Sequence, residues 1–521
     1  MRNPRSTTAR TARTTGTLAT AAAMLAALAA ASCGGGPVAY APTPTWIADR
    51  TSLQPGSPTA PTVVQQYREV VARILASARA DRGAYAKLSV LTDGIGARLG
   101  GSPQLDRAIA WAAAAMAADG QDVRTEPVMV PHWVRGIEEA SIVSSALAPA
   151  SPAGTSPAAL RPLRVLGLGD TVSTPPGGVV APVVVVTSWD DLQAQAAAVR
   201  GAIVLFDVPM PPWDAAKGFS GYGDVVPYRT AGPSRAAKLG AVGVLMRSVT
   251  AHSLGTLHTG ALHYADDVAK LPAAAVTTED ADLLHRLAAR GPVTVRLRLE
   301  SQQLPDAPSA NVIGELRGSE WPDQVVVLGA HIDSWDVGQG AHDDGAGCVI
   351  MMQALATLRH LGLHPRRTIR VVLFTNEENG TRGARAYAKD HAGELASTVM
   401  AIESDSGGFK PVGLAVDAPE DAPPEYAARI SRRLAPIADL LAPVAKLAVA
   451  PGHSGTDVSP MIAGGVPALG LIVDSARYFD IHHTAADTLD KVSPQDLSES
   501  SAVIAVLAYI VADAPDRLDA L

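Results

Sequence analysis

Cysteine, positive charge and long apolar runs are all scarce in this chain, and each scarcity closes off a class of protein. Only two cysteines occur in 521 residues, Cys33 and Cys348, so neither a disulfide framework nor a paired CxxC motif is available. The formal net charge is -8 and no basic stripe is visible, which argues against nucleic acid as the main partner. There is no glycine-rich phosphate loop, no serine elbow and no internal repeat. The apolar run at residues 18–31 is too short and too rich in alanine for a membrane span.

That run reads instead as the centre of an export signal. Arg2, Arg5, Arg10 and Arg13 precede it and Ser32-Cys33-Gly34 follows it, the order of a basic region, an apolar region and a small-residue cleavage site. Residues 1–32 are therefore expected to be a signal peptide, with the mature chain periplasmic or extracellular. A cysteine directly after the small residues resembles a bacterial lipoprotein signal, in which Cys33 would carry a lipid anchor. Ala30 stands where leucine is usual, and the alternative is cleavage after Ala29-Ala30-Ala31 with Cys33 incidental. Residues 33–61, rich in proline, glycine, threonine and alanine, read as a flexible linker.

A chain of this length exceeds one core and implies two folded domains. Helical periodicity marks 63–80, 85–91 and 105–118. From 137 to 304 short apolar strands (183–186, 202–206, 242–246, 293–299) alternate with proline- and glycine-rich connections. One helix, 234–239, and three scattered histidines (His252, His258, His263) without ligand-like spacing complete this stretch. It reads as a strand-rich insertion between residues 62–136 and 305–521. After 311 the strands 325–328, 368–374, 398–402 and 468–473 alternate with helices 347–361, 382–391, 424–434 and 494–512. That order predicts an α/β fold with a mostly parallel sheet flanked by helices, in which ligands gather at the carboxyl ends of the strands.

The residues at those ends carry the chemistry. The first strand runs into His331 and Asp333, the second into Glu377-Glu378, the third into Glu403-Ser404-Asp405, and beyond the fourth lies Asp480-Ile481-His482-His483. An Asp343-Asp344 pair sits in a glycine-rich turn twelve positions after His331. Scattered, solvated carboxylates would not all follow buried strands. Two histidines and three acids exceed what one zinc takes and fit two metals sharing a carboxylate. Asp343 is the expected bridge, with His331 and Asp405 on one ion and Glu378 and His483 on the other. Zinc suits these ligands, and manganese and cobalt take the same types. His342 and His482 each neighbour an expected ligand and could replace it. Glu377 is the expected general base, and Asp333 the acceptor of the second ring proton of His331. His453 to Asp457 form a polar loop that either lines the substrate pocket or is a plain turn, and Cys348 reads as core packing.

The strings HIDSWDVGQGAHDDGAG, TNEENGTRGA, IESDSGG and HHTAADT together resemble the carboxypeptidase Q family, secreted di-zinc peptidases related to bacterial aminopeptidases and glutamate carboxypeptidase. The likeness runs from about Thr62 to the carboxyl end. It implies that 137–304 is a protease-associated domain, that the ligands are His331, Asp343, Glu378, Asp405 and His483, and that Glu377 is the base. It also implies a cis peptide after Asp343, a homodimer, and hydrolysis of dipeptides or short peptides through a metal-bridged hydroxide. Two other readings compete: a single-metal cyclase or amidase on the same scaffold, and a catalytically inert binding or receptor module.

Overall fold

The computed structural model describes residues 62–147, 160–214 and 220–518; the expected export signal, Cys33 and the expected linker lie outside the described residues. The first described helix, Val63–Ala80, opens on a reciprocal cap. The Thr62 hydroxyl accepts from the Gln65 N–H, and the Gln65 side chain accepts from the Thr62 N–H.

Eight strands form a first sheet in the order Asp122–Val134, Gln302–Leu316, Arg367–Phe374, Trp321–His331, Thr398–Glu403, Ala468–Val473, Pro411–Asp417, Ala448–Pro451. The four central ones, from Arg367–Phe374 to Ala468–Val473, are parallel, and antiparallel strands flank them on both sides. Central strands need apolar residues on both faces, and Val325 to Ala330 supply them. Val326, Leu328 and Ala330 enter the core beneath helices Ala346–His360 and Pro494–Asp513. Val325 and Val327 enter the opposite core, under helix Arg382–Asp390. Pro494–Asp513 is long and apolar enough to cross a membrane, yet it is a core helix, mostly buried in the fold. Ser493 caps it by accepting from Asp496 N–H.

A second eight-stranded sheet is built from residues between Glu138 and Leu299. Its interior strands Val179–Val186, Ile203–Phe206, Gly243–Arg247 and Ala273–Val276 are parallel, and the single helix expected here is joined by others. Ser220–Thr230 is masked in the sequence by Pro227 and two glycines. Thr278–Ala288 has a Thr277 cap with Glu279 and Asp280 in its first turn, and this start signal was legible. Strand Gln302–Leu316 pairs along its length with Asp122–Val134 and runs unbroken across the boundary expected at 304. Pro305 and Pro308 hid it, because proline reads against a strand except at edges.

An ion network fastens this edge ribbon to the sheet. Arg370 Nε lies 2.6 Å from Glu315 and its Nη1 lies 2.9 Å from the Tyr387 hydroxyl and 3.1 Å from Glu394. His391 bridges two acids, with Nε2 3.1 Å from both Glu126 oxygens and Nδ1 3.1 Å from Glu394. The Glu126 hydrogen bond raises the His391 pKa, burial opposes it and Glu394 adds to it; the net shift is upward. Stability from a raised histidine is complete below its unfolded pKa and is lost as the pH climbs through the folded one. His391→Gln should therefore cost about 1–2 kcal/mol at pH 6, and the gap to the parent should close toward pH 9 in denaturant unfolding.

Candidate metal centre

The strand ends do meet. His331 closes its strand fully buried, and its Nε2 lies 3.3 Å from Asp343 Oδ1 and 3.5 Å from Asp405 Oδ1. His483 Nε2 lies 3.1 Å from Asp343 Oδ2 and 3.2 Å from Glu378 Oε2. The two oxygens of Asp343 thus face two histidines from distant segments, each histidine paired with one further acid. These contacts lack hydrogen-bond geometry, so His331 Nε2 and Asp343 Oδ2 are buried without an aligned hydrogen bond, which is the condition of donor atoms shaped for an ion. The peptide bond between Asp343 and Asp344 is cis. The glycines beside it allow close approach: a Cβ on Gly347 would sit 1.9 Å from Ser404 O.

The neighbouring histidines separate by what they touch. His342 turns away: its Nδ1 accepts from Gly408 N–H at 3.0 Å and its ring stacks on Phe409. His482 stacks on His483, with its Nε2 3.6 Å from Asp343 Oδ2. It is grouped with Asp343 and His483 as a possible donor, but only His483 reaches both Asp343 and Glu378.

Three carboxylates that touch no imidazole at donor distance tie down the backbone that carries the donors. Asp333 differs from its expected contact. The His331 Nδ1–H is taken by the Asp333 backbone carbonyl at 3.2 Å, while the nearest carboxylate oxygen stands 3.7 Å away. The carboxylate instead accepts from Glu377 N–H and Glu378 N–H at 3.0 and 3.3 Å. Asp344 accepts from His331 N–H and Gly347 N–H. Asp487 accepts from His342 N–H and Asp343 N–H at 2.7 and 3.1 Å. Glu403, which ends its strand buried, holds Asp457 N–H and Val458 N–H at 2.9 and 2.8 Å. The His453–Asp457 loop is thereby anchored to the base of the site.

Crowding so many acids has an electrostatic consequence. Burial first, then neighbouring carboxylates, pushes the Glu378 and Asp487 carboxyls up to about 7 and Glu403 to about 8. Asp344, Glu377 and Asp457 rise well above the usual range for the same reasons. Bound cations invert that situation, because they favour every ionised acid around them. The donor set, its orphaned atoms and its surplus of negative charge all fit divalent metal.

The second sheet completes the surroundings. Thr259 N–H donates to His483 O at 3.0 Å, and His483 Nδ1 lies 3.4 Å from Thr259 O, which leaves Nε2 for the acids. Trp335, whose N–H donates to Glu378 Oε1 at 3.2 Å, packs its ring against Gly169. Arg135 grips Asp336 with two bonds of 2.7 Å. Of the scattered histidines, His252 Nδ1 lies 2.5 Å from Asp480, and His258 is buried, pushed down to about 3 first by burial and then by His483. Cys348 donates its S–H to His331 O from within the core. The roles of Thr259, a backbone contact, and of Arg98, described below, had no signal in the sequence.

Comparison with known proteins agrees with this geometry. Residues 311–508 match the family model "Peptidase family M28". Carboxypeptidase Q of Homo sapiens is 38% identical over 442 residues, covering 84% of this chain and 87% of that protein. The Xenopus laevis protein is 37% identical and covers 88% and 92%. The crystal structure of a peptidase M28 precursor from Shewanella amazonensis SB2B superposes with a TM-score of 0.78 at 35% identity, covering 88% of this chain and 99% of that one. BSAP, a zinc aminopeptidase from Bacillus subtilis, shares the fold at a TM-score of 0.58 and 20% identity, over 84% and 96% of the two chains. The chain is a metallo-exopeptidase that belongs to peptidase family M28, alongside the carboxypeptidase Q proteins.

Proposed function

We propose that this chain is an exported di-zinc peptidase that hydrolyses dipeptides and other short peptides. The observation that carries the reading is the bracketing of Asp343 by His331 and His483 within 3.3 and 3.1 Å, with Asp405 and Glu378 alongside. On this reading Asp343 would be shared between two zinc ions, one held with His331 and Asp405 and the other with Glu378 and His483. Two bound zinc ions would polarise the scissile carbonyl and make water acidic enough to be deprotonated near neutral pH.

The chain's own residues do the rest. Glu377 takes a proton from the attacking water and hands it to the departing amine. Its N–H is held by the same Asp333 carboxylate that holds Glu378 N–H, so base and donor keep a fixed spacing. His331 and His483 keep their Nε2 atoms turned inward because backbone carbonyls of Asp333 and Thr259 receive their Nδ1–H groups. Residues 138–299, which carry the second sheet, act as an inserted protease-associated domain whose 258–262 and 167–169 segments wall the site. The export signal, a lipid at Cys33 and a homodimer belong to the same proposal; the residue pattern of 2–34 supports the first two and the likeness to carboxypeptidase Q the third.

Two outcomes test the reading. Glu377→Gln should keep the parent's metal content and lose about 10²–10⁴-fold in kcat on a dipeptide; unchanged turnover would remove Glu377 as the base. Asp333→Asn keeps the shape but replaces one accepting oxygen with an NH2, so one of the two amides loses its acceptor and the other loses the charge, and kcat should drop by about 10–100-fold. In steady-state assays KM should move little, as befits an interaction that matters in the transition state.

A further inference from the structure

Arg98 is among the largest fully buried side chains of the described residues, with 0% exposure, and it has no carboxylate within hydrogen-bonding distance. Its guanidinium spends its donors on backbone carbonyls. Nε donates to Ile332 O at 2.5 Å, Nη1 to Gln339 O at 2.8 Å and to Gly96 O at 3.5 Å, and Nη2 to Gly340 O at 2.9 Å. Its own backbone pairs with Ser334: Arg98 N–H to Ser334 Oγ at 3.2 Å, and Ser334 N–H to Arg98 O at 3.4 Å.

The chain it grips is the loop that leaves His331 and returns at Asp343. Inside that loop, between the Ile332 and Gln339 anchors, lie the two backbone groups that orient metal donors. These are Asp333 O, which receives His331 Nδ1–H, and Trp335 N–H, which donates to Glu378 Oε1. The glycines keep the turn tight around it: a Cβ on Gly340 would meet Ser334 Cβ at 2.4 Å before Nη1 at 2.8 Å, and one on Gly345 would meet Gly340 O at 2.6 Å before Nη2 at 3.3 Å. Burying an arginine among neutral carbonyls carries a desolvation cost that an apolar side chain would avoid. A planar fork that spans carbonyls eight residues apart in sequence offers something an apolar side chain does not, a fixed loop shape. Its positive charge also sits among Asp333, Asp344 and Asp487, the three acids that clamp the donor backbone.

We propose that Arg98 is a positioning residue for the metal centre, setting the 332–340 loop so that His331, Glu378 and the bridging Asp343 converge. The inference rests on the metal reading above. It places a determinant of metal affinity outside the strand ends, in the segment that precedes the first strand.

The test compares the parent with Arg98→Lys and Arg98→Met for zinc affinity by competition with a chromogenic chelator. The same proteins are compared for the visible spectrum of the cobalt-loaded form and for kcat and KM on a dipeptide. Zinc affinity and kcat should each fall by about 10–100-fold, the cobalt bands should shift, and KM should stay within about twofold. Lysine keeps the charge and loses the fork, so Arg98→Lys should fold as the parent does and still show the metal and kcat losses. Arg98→Lys carries the test alone if Arg98→Met does not fold. Parental zinc affinity and kcat in a folded Arg98→Lys would overturn the proposal. A parent that binds no zinc would instead contradict the metal reading itself.

Discussion

Asp343 presents one oxygen to His331 and the other to His483, and the rest of the structure can be understood as the means of holding that arrangement. The histidines are 152 positions apart in the chain, arriving from the first central strand and from a loop beyond the last one. Only a sheet whose parallel strands all end at one rim brings them together without strain on the connections. The continuous apolar runs that make the central strands buried on both faces are therefore the indirect cause of the site.

A cluster of buried acids at such a rim is costly alone. Here the cost is distributed through backbone amides: Asp333, Asp344, Asp487 and Glu403 each accept two N–H groups from the segments that carry or flank the donors. This second layer fixes the spacing of the first. It also links chemistry to the inserted sheet, because Thr259 holds His483 and Gly169 backs Trp335. The insertion thus belongs to the site's wall as much as to its own core.

Much of this was legible in the sequence, and the failures have physical causes. Strand ends followed closely by acid or histidine pointed to His331, Glu378 and Asp405, which the fold does bring to one cluster, since periodicity locates buried strands well. The central helices and strands were found to within a few residues for the same reason. The edge ribbon was missed because Pro305 and Pro308 mimic a loop, and a helix was missed where Pro227 breaks the pattern. The Asp333 side chain was expected on its near neighbour His331, whereas it reaches amides more than forty residues later. Sequence proximity favours the first partner, and parallel pairing of Trp321–His331 with Arg367–Phe374 decides for the second. Arg98 lay beyond reach altogether, because its partners are carbonyls, and a carbonyl has no letter in the sequence.

In the proposed di-zinc reading, Asp343 would be shared by two ions. Calorimetric titration of the metal-free chain with zinc, followed through recovery of dipeptidase activity, tests it most directly. The account predicts two equivalents per chain at full activity, with both sites weakened together in Asp343→Ala. Full activity at one equivalent, or an Asp343→Ala chain that still binds two ions with parental affinity, would contradict it.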